Sequence, residues 1–130
     1  MSMTVPIPES QTNAVVDHVL QTWQHHVDAH DPDAVATVFT PDALFQGLRP
    51  APSTGREGIR AYYAAQPLGM AATYQVLHTR ALSGNTIATF ARLTFAFLDS
   101  HTTPVYLTAL LEQADDTWQI SHYHVSRIEA

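Results

Sequence analysis

The segment WQISHYHVSRI, residues 118–128, carries two imidazole side chains two positions apart. Its β-branched and aromatic residues predict a strand, in which alternate side chains share one face. This alternation groups three polar residues into what we call the histidine face: His122, His124 and Ser126. Because the face that carries them is the more apolar of the two, we expect it to point inward and Tyr123 to point outward. Two titratable rings on an inward face indicate acid–base or hydrogen-bonding chemistry.

Three roles are open for the histidine pair. Imidazole titrates near pH 6.5, so one ring could act as a base while the other orients it. Two rings on one strand face could instead bind a metal, with His78 or Asp99 as a third ligand. Each ring could also be structural, satisfied by a backbone or hydroxyl partner. We interpret His122 and His124 as acid–base residues and expect no metal.

A charged residue also interrupts the apolar segment IATFARLTFAFL, residues 87–98. Strand alternation places Arg92 on one face with Phe90. Since a buried charge is costly unless it is paired, Arg92 faces water, pairs with a carboxylate or meets an anionic ligand group. We interpret Arg92 as a pocket residue that would stabilise negative charge on a substrate oxygen.

Composition excludes several classes of function. The 130 residues carry a formal net charge of −6, and every one of the six basic residues is arginine. The chain has no basic stripe, which argues against nucleic acid as a partner. The lack of lysine and cysteine excludes Schiff-base chemistry, thiolate zinc sites and cysteine nucleophiles. No apolar run approaches membrane-spanning length and the start does not resemble a signal peptide, so we expect a soluble, cytoplasmic protein.

Periodicity predicts an α+β chain. Apolar residues at three- and four-residue spacing predict a long amphipathic helix over 10–30, and Asp31 is predicted to cap a short second helix. Residues 55–66 predict a third helix. Four β-rich runs from residue 73 onward, joined by short turns, predict an antiparallel meander against which the helices pack.

The segments AHDPDAVATVFTPDALFQG, GREGIRAYY and WQISHYHVSRI, in this order, resemble the nuclear transport factor 2-like superfamily, and most of all its SnoaL-like and ketosteroid-isomerase-like branches. The resemblance covers nearly the whole chain and implies one SnoaL-like domain over 1–130, with residues 1–9 flexible. It implies a curved antiparallel sheet wrapped around the long N-terminal helix, which together form a cone with a pocket inside. Superfamily members include cofactor-free isomerases, cyclases and dehydratases, and also non-catalytic binding and assembly domains.

The resemblance also shows which isomerase chemistry is missing. The isomerase oxyanion tyrosine, general-base aspartate and second oxyanion donor match Trp23, Gly47 and Ala109, none of which carries an acidic group. Steroid-type isomerisation by that constellation is therefore not expected. On the last strand, the pocket-lining positions of the isomerases match the histidine face, which implies that this face looks into the cone.

Two more residues enter through resemblance. The last strands are similar to the association domain of calmodulin-dependent protein kinase, whose pocket arginines bind carboxylates, and two of those positions match Arg92 and Arg60. A related dehydratase carries a catalytic histidine at the position of Tyr74. The resemblance therefore implies that Arg60 and Tyr74 also contact the ligand.

These expectations describe an apolar pocket, with Trp23, Phe45 and Phe90 among its walls, above a polar floor formed by Arg92 and the histidine face. Such a pocket suits a small hydrophobic molecule with a carbonyl, phenol or carboxylate group. The expected reaction is cofactor-free isomerisation, cyclisation or (de)hydration. The alternative is a non-catalytic ligand-binding or assembly module, which a cone filled by its own side chains would favour. We also expect a homodimer formed through the convex side of the sheet.

Overall fold

The computed structural model of the chain describes residues 8–128. Its helices and strands follow in the order α1 (Glu9–Asp28), α2 (Pro32–Thr37), β1 (Phe39–Gln46), β2 (Ser53–Thr54), α3 (Gly55–Ala64), β3 (Ala71–Ser83), β4 (Thr86–Ala96), β5 (Thr102–Ala114) and β6 (Thr117–Arg127). Most of the segment expected to be flexible, residues 1–9, lies outside the described residues, and Glu9 already begins α1.

The six strands form one sheet in the order β2-β1-β6-β5-β4-β3. Strands β3 to β6 make the predicted meander, with each strand antiparallel to the next. Strand β1 joins this meander by pairing in parallel with β6, and the sheet is curved and open. The predicted α+β fold, a curved sheet against a long N-terminal helix, is confirmed.

The long helix α1 packs its apolar stripe against the sheet, mainly against β3. The stripe recurs every three or four residues and consists of Val16, Val19, Leu20, Trp23 and Val27. Asp31 caps α2 as predicted, because its carboxylate accepts a hydrogen bond from the backbone N–H of Ala34 at 3.1 Å. Within residues 8–128, no helix is both long and apolar enough to cross a membrane.

We call the sheet face that packs on the helices the inner face and the opposite one the outer face. Side chains on the inner face of β4, β5 and β6 are almost completely buried: Ile87, Thr89, Ala91, Leu93, Phe95, Val105, Leu107, Ala109, Leu111, Ile120, Tyr123 and Val125. The core therefore lies between α1 and the inner face, which is where the sequence predicted a pocket.

Candidate functional site

The predicted direction of the histidine face is wrong. Tyr123 and Val125 point inward, His122 is half-buried on the outer face, and His124 and Ser126 are exposed there. The cause is a β-bulge: Leu111 pairs with Ile120 and Leu110 pairs with His122, so Ser121 has no partner residue in β5. One extra residue moves every later side chain to the other face.

The predicted direction of Arg92 and Phe90 is also wrong. Strand β4 has no bulge against β5, and it buries Ala91, Leu93 and Phe95 while Arg92 is exposed on the outer face. The physical reason is simple hydrophobicity, since the inner set is the more apolar and leaves no charge inside. The family resemblance had suggested the opposite orientation.

The outer face nevertheless brings several of the predicted residues together. Register places two rows side by side on β4, β5 and β6: Arg92–Tyr106–Ser126 and Phe90–Thr108–His124. The rings of Phe90 and Tyr106 are stacked, with centroids 5.3 Å apart, and Tyr106 is 39% exposed. These residues form an open, partly apolar surface instead of the floor of a pocket.

The interior of the cone is filled by aromatic side chains. Trp23 and Phe45 do lie inside, at 0% and 1% exposure, but they pack against other rings of the chain. Tyr123 stacks on Phe45 with centroids 4.7 Å apart and also contacts Trp23 and Phe39. These contacts occupy the volume in which the sequence predicted a ligand.

The polar atoms inside the cone belong to aromatic side chains that pack together. The indole Nε1 of Trp23 donates to the hydroxyl of Tyr63 at 3.1 Å, and Tyr123 lies beside the indole, with ring centroids 6.1 Å apart. Burial raises the pKa of both phenols well above the usual value, so both are neutral at physiological pH. The sequence reasoning missed this pair, although Ile59 and Tyr63 lie four residues apart on the buried side of α3.

Gly47 is the residue that the resemblance matches to the general base of the isomerases. A Cβ atom placed there would overlap the phenol ring of Tyr62. The hydroxyl of Tyr62 accepts a hydrogen bond from the backbone N–H of Leu48 at 2.8 Å, which fixes the ring in that place. The space of the missing carboxylate is therefore filled.

Tyr74 and Arg60, which the resemblance added to the candidate site, both have polar partners within the chain. The hydroxyl of Tyr74 donates to the carboxylate of Asp17 at 2.7 Å and ties β3 to α1. Burial and this hydrogen bond raise the pKa of Tyr74 to about 12. On α3, Arg60 pairs with Glu57 and lies 3.8 Å from the carboxylate of Asp33, outside the cone. Glu57 raises the pKa of Arg60, and Arg60 lowers the pKa of Glu57.

Thr12 and Thr89 are buried polar residues, and the described part of the chain buries no carboxylate, imidazole or guanidinium. Residues 8–128 also contain no cluster of three His, Asp or Glu side chains that could hold a metal ion. The interior can offer hydrogen-bond donors to an uncharged ligand, and among residues 8–128 it buries no carboxylate or imidazole that could exchange a proton near neutral pH.

Comparison with known proteins identifies the family. A sequence profile described as a SnoaL-like domain matches residues 16–129. No curated protein matches the chain. The family predicted from the sequence is confirmed.

Several solved structures share the fold. One from Xanthomonas campestris, assigned to the calcium/calmodulin dependent protein kinase II association domain, has 18% identity and a TM-score of 0.78 over 98% of this chain and 95% of that one. A ketosteroid isomerase-like protein from Erwinia carotovora has 18% identity and a TM-score of 0.75 over 95% and 100%. A Nostoc punctiforme domain of unknown function with a cystatin-like fold has 13% identity and a TM-score of 0.82 over 95% and 81%. At such identities the likeness concerns the fold, and the chain belongs to the SnoaL-like domain family.

Proposed function

We propose that the chain is a homodimeric, non-catalytic binding and assembly module. One observation carries this proposal: the cone is filled by packed aromatic side chains that include Trp23, Tyr63 and Tyr123. A catalytic pocket needs room for a substrate and a group that can take its proton. A cone filled by its own side chains is also the feature that we expected of a non-catalytic binding or assembly module.

The missing base supports the same proposal. The family's base position is Gly47, and Tyr62 fills the space that a carboxylate would need. The histidines that could have replaced this base, His122 and His124, lie on the outer face. Isomerisation, cyclisation and (de)hydration would each require a proton acceptor beside the substrate, so we do not propose turnover.

The outer face is the surface that we assign to assembly. It carries the stacked pair Phe90 and Tyr106, and Leu44 is exposed on β1 beside half-buried His122. A two-fold axis through this face would pack each aromatic pair against the same surface of a second copy, as closed dimers require. The likeness to a structure assigned as an association domain is consistent with assembly.

A charge placed on this face tests the proposal. Thr108 is exposed at the centre of the outer face, between Phe90 and His124. Thr108→Arg should convert the dimer to a monomer, because a two-fold axis brings the two new charges close together. Light scattering at micromolar protein would measure the mass, with circular dichroism as a check on folding.

The control variant is Gln21→Arg, which adds the same charge at an exposed position of α1. Gln21→Arg should remain dimeric. A monomeric mass for the unmodified protein, or a Thr108→Arg variant that dimerises like the control, would overturn the proposed assembly.

The neutral donors inside the cone favour a second candidate function, binding of a small hydrophobic phenol or carbonyl compound. The hydroxyls of Tyr63 and Tyr123 and the indole of Trp23 converge in an apolar interior, where a hydrogen bond to an uncharged oxygen is strong. Binding would require the rings to move apart. The cytoplasmic location and the absence of a cofactor stay predictions for either function.

This candidate can be tested with 2-naphthol, a fluorescent neutral phenol. Saturable binding that Tyr63→Phe weakens about tenfold, while Tyr106→Phe on the outer face leaves it unchanged, would support it. Equal effects of the two variants would show that the cone hydroxyls do not hold the ligand.

A further inference from the structure

The loop that follows β1, residues 47–50, is held in one shape by two hydrogen bonds. The side-chain amide of Gln46 donates to the carbonyl of Pro50 at 3.0 Å. The backbone N–H of Leu48 donates to the Tyr62 hydroxyl at 2.8 Å. A surface loop tied at both ends in this way presents its side chains with little further loss of conformational entropy.

A cleft of about 270 Å³ lies between this loop and the end of β6. Its apolar walls are Leu48, Pro50 and Val125, and its two charged residues are Arg49 and Arg127. The cleft therefore combines an apolar surface with two guanidinium groups, one from the loop after β1 and one from the end of β6. This is an unusual local charge in a chain whose net charge is −6.

Neither arginine is neutralised by a carboxylate within residues 8–128. The ion pairs of that part of the chain involve Arg60 and His101. Both Arg49 and Arg127 act on the same group, because their positive charges oppose the rise that burial causes in the pKa of Tyr62. Both arginines are exposed residues that line the same cleft, and both charges act on the same phenol.

We propose that this cleft binds a small organic carboxylate with a compact apolar body. A guanidinium group offers a planar pair of N–H donors that matches the two oxygens of a carboxylate. Arg49 and Arg127 hold the carboxylate, and Leu48, Pro50 and Val125 cover the apolar part. The site needs neither an opened cone nor a second copy of the chain, and it lies beyond the function proposed above.

Benzoate is the probe that tests this site. Its titration into the isotope-labelled protein should shift the backbone amide signals of Leu48, Arg49 and Arg127 in a saturable manner. Benzamide, which has nearly the same shape without the charge, should bind at least tenfold more weakly, and added salt should weaken benzoate binding. Inorganic phosphate serves as an anion that lacks the apolar body and should also bind more weakly.

Arg49→Gln and Arg127→Gln should each weaken benzoate binding about tenfold, whereas Arg80→Gln, at an exposed position on β3, should leave it unchanged. Melting temperatures of the variants establish that the fold is intact. Equal affinity for benzoate and benzamide, or equal effects of all three substitutions, would overturn the proposal. A phosphate affinity above that of benzoate would assign the cleft to anions without an apolar body and would overturn it too. The oligomer mass of these variants reports separately on the dimer.

Discussion

At the scale of single residues, the structure shows which side chain occupies the space beside Gly47. The sequence identified Gly47 at the position of the general base, and the structure adds that the ring of Tyr62 fills the space beside it. No sequence pattern pairs these two residues, because they meet only through the packing of α3 on β1. The partner of Arg60, in contrast, can be found from the sequence. Glu57 lies three residues earlier on the same face of α3, and the two side chains form an ion pair.

The fit between Gly47 and Tyr62 leads to a prediction for stability. Gly47→Ala should lower the free energy of unfolding by about 1–3 kcal/mol, because the new methyl group overlaps the tyrosine ring. In a Tyr62→Ala background the same substitution should cost much less. Urea denaturation of the four proteins of this double-mutant cycle measures the difference. If Gly47→Ala lowered the free energy of unfolding equally with and without the Tyr62 ring, the glycine would be needed for a reason other than contact with that ring.

At the scale of helices and strands, the sequence predicted well what depends on local pattern. The long helix, the Asp31 cap and the meander were predicted, because periodicity and capping are encoded by neighbouring residues. The family was predicted from the resemblance of three segments. The sheet face on which the β6 side chains lie was predicted wrongly, because a β-bulge depends on how two strands pair. For β4, a count of apolar residues on each face points to the observed orientation, but both the interpretation of Arg92 as an anion-binding residue and the resemblance placed it inward.

The bulge makes a deletion unusually informative. Removing Ser121 should leave Ile120 and Tyr123 on the inner face, since the strand then alternates regularly through this region. We expect the variant to fold with a loss below about 3 kcal/mol. Thermal unfolding and near-ultraviolet circular dichroism of the buried tyrosine would check this.

The matching control is the deletion of Thr108 in β5, which has no bulge against β4. That deletion should prevent folding, because it turns Ala109 and Leu111 to the outer face. If removal of Ser121 were as damaging as removal of Thr108, the bulge would be a required feature of the sheet and not a tolerated extra residue.

At the scale of the whole molecule, stability rests on an interior that holds neutral polar groups and no buried ionised side chain within residues 8–128. The cone is closed by its own rings, and charge is confined to the surface, where the net excess is acidic. Burial of the phenols becomes unfavourable when the pH is high enough to ionise them. Tyr63 and Tyr123 therefore contribute to the response of the molecule to alkaline pH, together with Tyr62 and Tyr74, whose pKa values are also raised.

Alkaline pH should destabilise the folded protein. Burial raises the folded-state pKa of Tyr63 and Tyr123 above the unfolded value of about 10, so the folded state holds these protons more tightly. Their contribution is complete below about pH 10 and is lost as the pH rises through the folded-state pKa. Denaturant titrations at increasing pH would measure the loss.

Tyr123→Phe should reduce the slope of this loss, because one titrating group has been removed, whereas Tyr106→Phe on the outer face provides the comparison. Equal slopes for the two variants would contradict the assignment to the buried phenols.

The parallel pairing of β1 with β6 has a consequence for how the chain acquires its structure during synthesis. Strand β6 is made after the other five strands, yet it lies between β1 and β5 in the sheet. Until β6 emerges from the ribosome, β1 has no neighbour from the meander, and the apolar rings of Phe39 and Phe45 lack their contact with Tyr123. Contacts between distant parts of a chain form slowly and leave apolar surface exposed for longer. The nascent protein would thus depend on chaperones until this strand is complete, and truncation before β6 would yield aggregates instead of a smaller domain.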